Sequence, residues 1–394
     1  MTGVAARWRI LLVGTQLSLA CAGDATAPVP PSRIVFAGRV ERSALVVASL
    51  VDSAGAAVGS AVTWSVSPAT AAEVRRDTIV WRDTGPVTVS ASVMAPDGAT
   101  RARVERVVTV ARPPRLVFWA LRSISGTGNR DIWTVDLDGG GLRRVTTDAA
   151  DERWPTARNG QVVFVRFGPS GTADLWRTPL DGGTAVRLTT DATREESPRW
   201  SPDGSQLAWV DATQLFFRVW LRNADGTQPR RFAPADVPIA SLVEGVPAWS
   251  PDGARLVFPA QRDTAGGSAP TLWIGAVNGA GGSATPLAGG PGLGVNTQPT
   301  WSPDGAHVVF VSTRDGPADL YRVQVTTRTT ARLTTGCRCG EPAFLGDGRL
   351  VFVQFADSAG TTTRRLRWLD PAAPSVTYPI ATGGDAEGPQ PALP

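Results

Sequence analysis

The sequence predicts an all-β protein in which a small N-terminal β-sandwich is followed by a six-bladed β-propeller that the C-terminal strand closes. The first observation is a repeated pentapeptide, WSPDG, which begins at Trp200, Trp249 and Trp301. The second is the spacing of about 50 residues between copies, which is typical of propellers. The third is that no long helical pattern follows the first twenty residues, while Gly and Pro are abundant, which favours many short strands joined by turns.

Each WSPDG copy predicts a tight turn between two antiparallel strands. Pro fixes its own φ, and Gly accepts the positive φ that such turns need. The strands that follow are rich in β-branched and aromatic residues, as in QLAWV (206–210), RLVFP (255–259) and HVVFV (307–311). The Trp before each turn is expected to pack between sheets, because a large aromatic side chain is usually part of a core.

Degenerate copies extend the repeat to six units. Residues 155–167 and 342–355 match the same pattern, and each unit carries four strand signals. The first unit starts at Pro114 without an opening strand and turn, whereas residues 385–394 resemble the segments that lead into the other units. We therefore predict that the C-terminus supplies the innermost strand of the first blade, which leaves no free sheet edge. The predicted propeller spans residues 114–394.

Residues 33–112 predict a separate β-sandwich, because short alternating strands continue there without any WSPDG. The segments around Trp64, followed by TGPVTVSAS (84–92), resemble bacterial Ig-like domains of the group 2 type. This resemblance makes Trp64 the core Trp and implies a spacer, with an adhesin module as the alternative. Two Pro residues in ARPP (111–114) predict a stiff linker to the propeller.

The N-terminal segment predicts export. Residues 1–20 contain two Arg followed by an apolar run too short to span a bilayer, as in a signal peptide. The run ends in LSLAC, which resembles a bacterial lipoprotein signal and makes Cys21 the residue to be lipidated. Residues 21–32 have the small, polar, Pro-rich composition of a tether. We expect a lipoprotein on the periplasmic face of the outer membrane, held there only by its lipid anchor. Cleavage after Ala22 or Ala27 would instead give a soluble periplasmic or secreted protein.

The composition argues against nucleic acid and metal ligands. The formal net charge is only +4, and no Arg cluster is interleaved with aromatic residues on one element, so no nucleic-acid partner is expected. A metal or catalytic centre usually gathers several His or acidic side chains, and the chain has one His, His307. We expect no cofactor and no metal.

The repeats resemble the WD-like repeats of TolB-type six-bladed propellers. The residues that carry the resemblance are PxWSPDG, VFVSTRDGPADLYRV (309–323) and RLTT (187–190 and 332–335). The same repeat occurs in the propellers of prolyl-oligopeptidase-type peptidases and of oligogalacturonate lyases, but no Gly-x-Ser-x-Gly motif is present here. We therefore expect a non-catalytic binding or scaffold protein of the cell envelope. A carbohydrate-active, lyase-like enzyme and a surface adhesin are the alternatives.

One face of the propeller is predicted to bind the partner, since the loops leading into the first strand of each blade lie beside those joining its second and third strands. The first loops are acidic, and the second carry Arg. The candidate residues are Asp151, Glu152, Glu195, Glu196, Glu244, Glu341, Glu387, Arg122, Arg262 and Arg314. Such a face would receive a basic peptide segment of an envelope protein or a cation, and a polysaccharide is the second kind of partner. The alternative role of these acids is to form ion pairs and hydrogen bonds between neighbouring blades.

Cys337 and Cys339, in TTGCRCGEP, lie in the loop that leads into the sixth blade. Export would allow a disulfide between them, although the ring that a Cys-x-Cys bridge closes is small. Two unbridged thiols are the alternative, and neither state predicts a metal site.

Overall fold

A computed structural model describes residues 19–20, 33–51, 55–57, 62–94, 97, 100–121, 129–169, 171–190, 193–212, 218–232, 246–260, 270–278, 284–288, 294–358 and 361–393. The fold is all-β, and the chain forms two compact units that divide between Pro113 and Pro114. Helix within these ranges is limited to one 3-10 turn, Ala69–Ala71, and none has the length and apolar character to cross a membrane.

The N-terminal unit contains two four-stranded sheets around one apolar core. Its strands are β1 (Leu19–Ala20), β2 (Arg33–Ala37), β3 (Leu45–Val51), β4 (Val62–Ser67), β5 (Ala72–Arg75), β6 (Thr78–Trp81), β7 (Gly85–Met94) and β8 (Thr100–Val110). The sheet orders are β1-β8-β7-β4 and β2-β3-β6-β5. Alternate residues of β2 and β3 are buried, because successive side chains of a strand point to opposite faces of its sheet.

The central aromatic residue of this core is Trp81. Its side chain is fully buried and packs edge-on against Phe36, with ring centroids 6.0 Å apart. Trp64, which the sequence singled out as the core Trp, packs against the same core but is only partly buried. The reason is its position on β4, which lies at the edge of its sheet.

The C-terminal unit consists of consecutive four-strand units, numbered here as blades 1 to 6 in chain order. Blade 1 begins with β9 (Arg115–Leu121), β10 (Arg130–Asp136) and β11 (Arg143–Arg144). Blade 2 contains β12 (Glu152–Arg158), β13 (Gln161–Phe167), β14 (Ala173–Pro179) and β15 (Val186–Arg187), and blade 3 contains β16 (Glu195–Trp200), β17 (Gln206–Asp211), β18 (Arg218–Asn223) and β19 (Arg230–Arg231). Blade 4 contains β20 (Ala248–Trp249), β21 (Arg255–Ala260), β22 (Thr271–Ala276) and β23 (Ala284–Ala288). Blade 5 contains β24 (Asn296–Trp301), β25 (His307–Ser312), β26 (Asp319–Gln324) and β27 (Thr330–Arg332), and blade 6 contains β28 (Cys339–Phe344), β29 (Leu350–Ser358), β30 (Thr361–Leu369) and β31 (Thr377–Pro379). Neighbouring strands within each of blades 2 to 6 pair antiparallel in chain order, which is the strand arrangement of a propeller.

The last strand, β32 (Glu387–Leu393), lies between blades 1 and 2. It pairs antiparallel with β9, where Gln390 is opposite Val117, and parallel with β12, where Ala392 is opposite Ala157. The end of the chain therefore occupies the position beside β9 that the first strand occupies in the other blades.

The WSPDG turns explain why the pentapeptide is repeated. In blade 3, the Ser201 hydroxyl donates to Asp203 Oδ1 at 2.6 Å and accepts from the Gln206 N–H at 2.9 Å, while Gly204 has φ of 72°. The copies in blades 4 and 5 repeat these contacts. A Cβ atom placed on Gly253 would lie 3.9 Å from Pro202, so the turns of blades 3 and 4 touch. The same contact joins blades 4 and 5, and each turn thus packs on the next.

A second repeated device joins the third and fourth strands of a blade. In blade 5, the buried Asp319 carboxylate accepts from Arg332 at 2.5 Å, from the Thr334 hydroxyl at 2.8 Å and from the Cys337 N–H at 2.9 Å. Blades 1 and 2 contain the corresponding Asp–Arg pairs, each at 2.8 Å. These buried charges are satisfied by several partners at once, as a buried carboxylate requires.

Second strands supply the largest fully buried side chains of the propeller. Phe164, Phe310 and Phe352 are fully buried on β13, β25 and β29. Burial of one such side chain contributes roughly 1.5–3 kcal/mol to the free energy of unfolding. The first strands are left to line the space at the centre.

Candidate binding channel

A cavity of about 890 Å³ runs between the first strands of blades 2 to 6 and β32, which we call the inner strands. Each inner strand, or the residues just before it, contains an X-Pro sequence. The X residues are Trp154, Ser197, Val246, Gln298, Glu341 and Gly388, and all of them line the cavity. The cavity, called the channel below, is therefore built from equivalent positions of successive repeats.

Five of the six X residues sit in β-bulges. The pairing register shifts at this point in β12, β16, β24, β28 and β32. Trp154, Ser197, Gln298 and Glu341 have φ between 50° and 53°, and Gly388 has φ of 61°. Residues other than Gly rarely adopt this conformation, and such strain persists only where surrounding contacts hold it. Four of the bulges re-aim a side chain at the channel, as bulges near binding sites commonly do; the residues are Trp154, Ser197, Gln298 and Glu341.

Two hydrogen bonds connect the bulges of three neighbouring inner strands. The Glu341 N–H donates to Gln298 Oε1 at 2.8 Å, and the Gly388 N–H donates to Glu341 Oε2 at 2.6 Å. The side chain at one bulge thus satisfies the backbone at the next. Burial removes water from the Glu341 carboxylate, and this is the main reason that its pKa is raised. The hydrogen bond from the Gly388 N–H and the charges of Arg199 and Arg364 lower the pKa in part.

Aromatic side chains form one level of the channel wall. Three residues after X, the inner strands carry Ala157, Trp200, Trp249, Trp301, Phe344 and Pro391. Trp249 and Trp301 are only 8% and 5% exposed, because most of each ring packs in the cores between blades. The expected packing role of these Trp residues is confirmed, and the edges that remain exposed face the channel.

Among the described residues, the charged side chains that line the channel are four Arg and two Glu. Arg153, Arg158, Arg194, Glu196, Arg199 and Glu341 line it. Arg194 pairs with Glu196 at 2.7 Å, and Arg153 pairs with Asp151 at 2.5 Å. Burial lowers the pKa of Arg199 to about 10, an effect that the charge of Glu341 partly offsets. The described part of the channel wall is therefore net positive at neutral pH.

The residues predicted from sequence as a partner-binding face separate into several groups. Glu196 and Glu341 line the channel. Glu152 and Glu195 are buried: Glu152 accepts from Arg166 at 2.9 Å, and Glu195 accepts from the Leu175 N–H at 3.0 Å. Glu195 therefore takes the alternative role of bonding to a neighbouring blade, whereas Glu152 joins two strands of its own blade. Neither is accessible to a partner in this conformation.

Three further candidates make contacts within the propeller, and three lie outside the described residues. Asp151 accepts from the Arg130 N–H at 3.0 Å, Glu387 pairs with Arg364 at 3.0 Å, and Arg314 donates to Asn296 at 2.9 Å. Desolvation, reinforced by the charge of Glu341, raises the pKa of Glu387 to about 7. The candidates outside the described residues are Arg122, Glu244 and Arg262. The acidic face expected from sequence is thus largely neutralised where the structure describes it.

Cys337 and Cys339 are joined as a disulfide, with Cα atoms 5.2 Å apart. Cys339 is the first residue of β28 and is buried, so the bridge fixes the start of the strand that carries Glu341. Over the ranges that the structure describes, no group of three His, Cys, Asp or Glu side chains could hold a metal ion.

Sequence reasoning missed Arg153, Arg158, Arg194 and Arg199 as channel residues. Each lies within a few residues of an X-Pro sequence. The regular recurrence of X-Pro-x-aromatic along the chain is the sequence signal that could have located the channel.

Comparison with known proteins shows what the C-terminal unit is similar to. Residues 197–366 match the TolB beta propeller domain. TolB from Acinetobacter baumannii has a crystal structure that superposes with a TM-score of 0.61 at 16% identity, covering 79% of this chain and 80% of that chain. A protein from Agrobacterium tumefaciens proposed to be TolB gives a TM-score of 0.52 at 19% identity, covering 70% of this chain and 91% of its own. The C-terminal unit therefore has a propeller-like fold similar to that of TolB.

An uncharacterized protein of Agrobacterium fabrum is 30% identical to this chain over 178 residues. The match covers 44% of this chain and 54% of the relative, so the chain spans about half the length of the curated relative.

Proposed function

We propose that this chain is an exported, non-catalytic scaffold protein of the cell envelope whose propeller binds a protein or peptide segment in its central channel. The observation that carries the proposal is the channel itself, to which all six inner strands contribute equivalent positions. The match to the TolB propeller domain supports an envelope role and a protein partner.

The wall of the channel suits an extended peptide. Ser197, Thr300 and Gln390 offer hydrogen-bonding groups to the channel, and the edges of Trp200 and Trp301 offer apolar contact. A peptide backbone brings both donors and acceptors, so it can pair with such a mixed lining. The excess of Arg over Glu favours a neutral or acidic segment, in place of the basic segment that the sequence suggested.

We also propose that the six blades form a closed ring in which β32 is the inner strand of blade 1. The pairing of β32 with both β9 and β12 supports this closure. The two packed sheets of the N-terminal unit support a role as an Ig-like spacer. Lipidation at Cys21, which lies outside the described residues, would place the propeller at the periplasmic face of the outer membrane, and the protein would be soluble and exported without it.

Photo-crosslinking from inside the channel tests the proposed function. The crosslinking residue p-benzoylphenylalanine would replace Thr300, which lines the channel, or Arg322 on β26, which does not. In intact cells of the source organism, the Thr300 variant should capture a reproducible protein that the Arg322 variant does not. The same capture from both positions, or capture of envelope polysaccharide at Thr300, would contradict a protein-binding channel, and the second result would support the carbohydrate-active alternative.

A further inference from the structure

Arg199 differs from every residue at the equivalent position of the other inner strands. Two residues after X, these strands carry uncharged side chains: Thr156, Ala248, Thr300, Ala343 and Gln390. The repeat that builds the channel therefore places one long cation at a level where all other side chains are neutral. Packing of the propeller does not require it, since five blades are built without it.

The guanidinium of Arg199 is held in place but not neutralised by contact. Its Nη1 donates to the Pro198 carbonyl at 2.8 Å, and the indole N–H of Trp249 donates to the Arg199 carbonyl at 3.1 Å. Among the described residues, Arg199 forms no ion pair, so no carboxylate oxygen lies within 4.0 Å of its guanidinium nitrogen atoms. A charge in a desolvated site is unfavourable unless a counter-charge approaches it.

Glu341 supplies the opposing charge from a distance. It lies on blade 6, three blades along the chain from Arg199, and interacts with it electrostatically without an ion-pair contact. One Glu341 oxygen already accepts from the Gly388 N–H. The charge of Glu341 thus partly stabilises the Arg199 cation in the folded protein. Most of the N–H donors of Arg199 remain available to a ligand.

We propose that Arg199 binds a carboxylate carried by the peptide segment that enters the channel. The inference rests on the proposed function, and it names the chemistry that the partner must bring. A guanidinium presents five N–H donors in a planar fork, which matches the two oxygens of a carboxylate. The adjoining Trp200 and Trp249 edges exclude water, which strengthens the attraction.

A peptide fits this site better than an acidic sugar. Recognition of a sugar ring would need an exposed aromatic face on which the ring can stack. Trp249 and Trp301, two of the aromatic residues of the wall, show only a small part of their surface to the channel. Edges of this kind pack against aliphatic or backbone groups beside the carboxylate. The carboxylate can belong to an Asp or Glu side chain or to a chain terminus.

The test is a titration of the full-length protein labelled with ¹⁵N-arginine, following the Nε–Hε resonance of Arg199. The resonance is assigned by its loss in Arg199→Gln, or by its response to Glu341→Gln if the first variant does not fold. The probes are Ac-Ala-Glu-Ala-NH2 with a side-chain carboxylate, Ac-Ala-Ala-Ala-OH with a terminal carboxylate, Ac-Ala-Gln-Ala-NH2 with neither, and digalacturonate. We expect one carboxylate peptide to bind about tenfold or more tightly than the amide peptide, since hydrogen bonds to charged groups are the strong ones.

Two variants move the affinity in opposite directions. Arg199→Gln lacks the reporting resonance, so its affinities are measured by isothermal titration calorimetry, and it should show no preference for the carboxylate peptide. Arg322→Gln, a matched change outside the channel, should preserve the preference in the same assay. Glu341→Gln keeps an oxygen for the Gly388 N–H but removes the competing charge, so it should tighten carboxylate binding several-fold. A site in which Arg199 is only structural would show neither the preference nor this gain.

The outcomes separate this inference from the proposed function. Equal response to the amide and carboxylate peptides would overturn carboxylate recognition, while channel crosslinks to a protein would still stand. Tighter binding of digalacturonate than of every peptide would overturn the peptide source and favour the carbohydrate alternative. No response of the Arg199 resonance to any probe, together with no crosslink at Thr300, would overturn both proposals.

Discussion

Substitution of Gly388 by Ala is expected to destabilise the propeller strongly. Gly388 has φ of 61°, which an L side chain adopts at a cost of about 1 kcal/mol or more. A Cβ atom there would also lie 2.6 Å from Nε1 and 2.7 Å from Cδ1 of Trp119, a side chain that is packed in the core. Overpacking of this kind costs roughly 1–3 kcal/mol. The two effects together predict a loss of about 2–4 kcal/mol in the free energy of unfolding, which is about 5–10 °C in Tm for a unit of this size.

The matched control is Gly384→Ala. Gly384 lies four residues earlier on the same segment, where an added Cβ would meet no atom within 4 Å and the backbone does not adopt the left-handed conformation. Thermal and urea unfolding of the full chain, followed by Trp fluorescence, compares the two variants with the parent. Equal stability of the two variants would refute the reasoning, because Gly388 contacts Trp119 only if β32 is docked against β9.

Three further predictions concern the core and the pH dependence of stability. Phe310→Ala removes a fully buried ring and should cost about 3–5 kcal/mol, whereas Val186→Ala, about half exposed, should change stability by less than about 0.5 kcal/mol in the same urea assay. Hydrogen bonds from Ser201 and Ser205 lower the pKa of Asp203 to about 2. The ionised Asp203 should therefore stabilise the fold above about pH 4, and this stabilisation should be lost as the pH falls towards 2. Acid titrations of Asp203→Ala should show a weaker dependence of stability on pH. The pKa of Glu387 is raised to about 7, so its ionisation opposes folding, and unfolding free energies measured from pH 4.5 to 7 should fall more for the parent than for Glu387→Gln.

The local elements of the propeller were predictable because their signals are local. A Ser, Pro, Asp and Gly in sequence determine a turn whatever surrounds it, and the turns at Ser201, Ser250 and Ser302 have the same hydrogen bonds. The strands after them are apolar enough to be recognised alone, and the all-β, propeller-like fold is confirmed.

The candidate site was harder to predict because it depends on tertiary context. Nothing in the letters of Gln298 or Glu341 indicates a positive φ, which arises only when neighbouring inner strands supply hydrogen bonds to the bulge. The burial of Glu195 depends on the Leu175 N–H, which is brought to it by the preceding blade. Trp64 is less buried than Trp81 because its strand lies at the edge of a sheet, which the sequence does not show. In each instance, the missing information is the identity of a neighbour distant along the chain.

The contact between successive WSPDG turns has a consequence for how such a chain can change over evolutionary time. Because the Pro of one turn rests against the Gly of the next, a new residue at either position must suit a partner encoded about 50 residues away. Point changes in one copy are therefore constrained by the neighbouring copy. A duplication or loss of a whole blade carries both surfaces with it and keeps the contact intact, so the heritable module of this protein is the complete repeat.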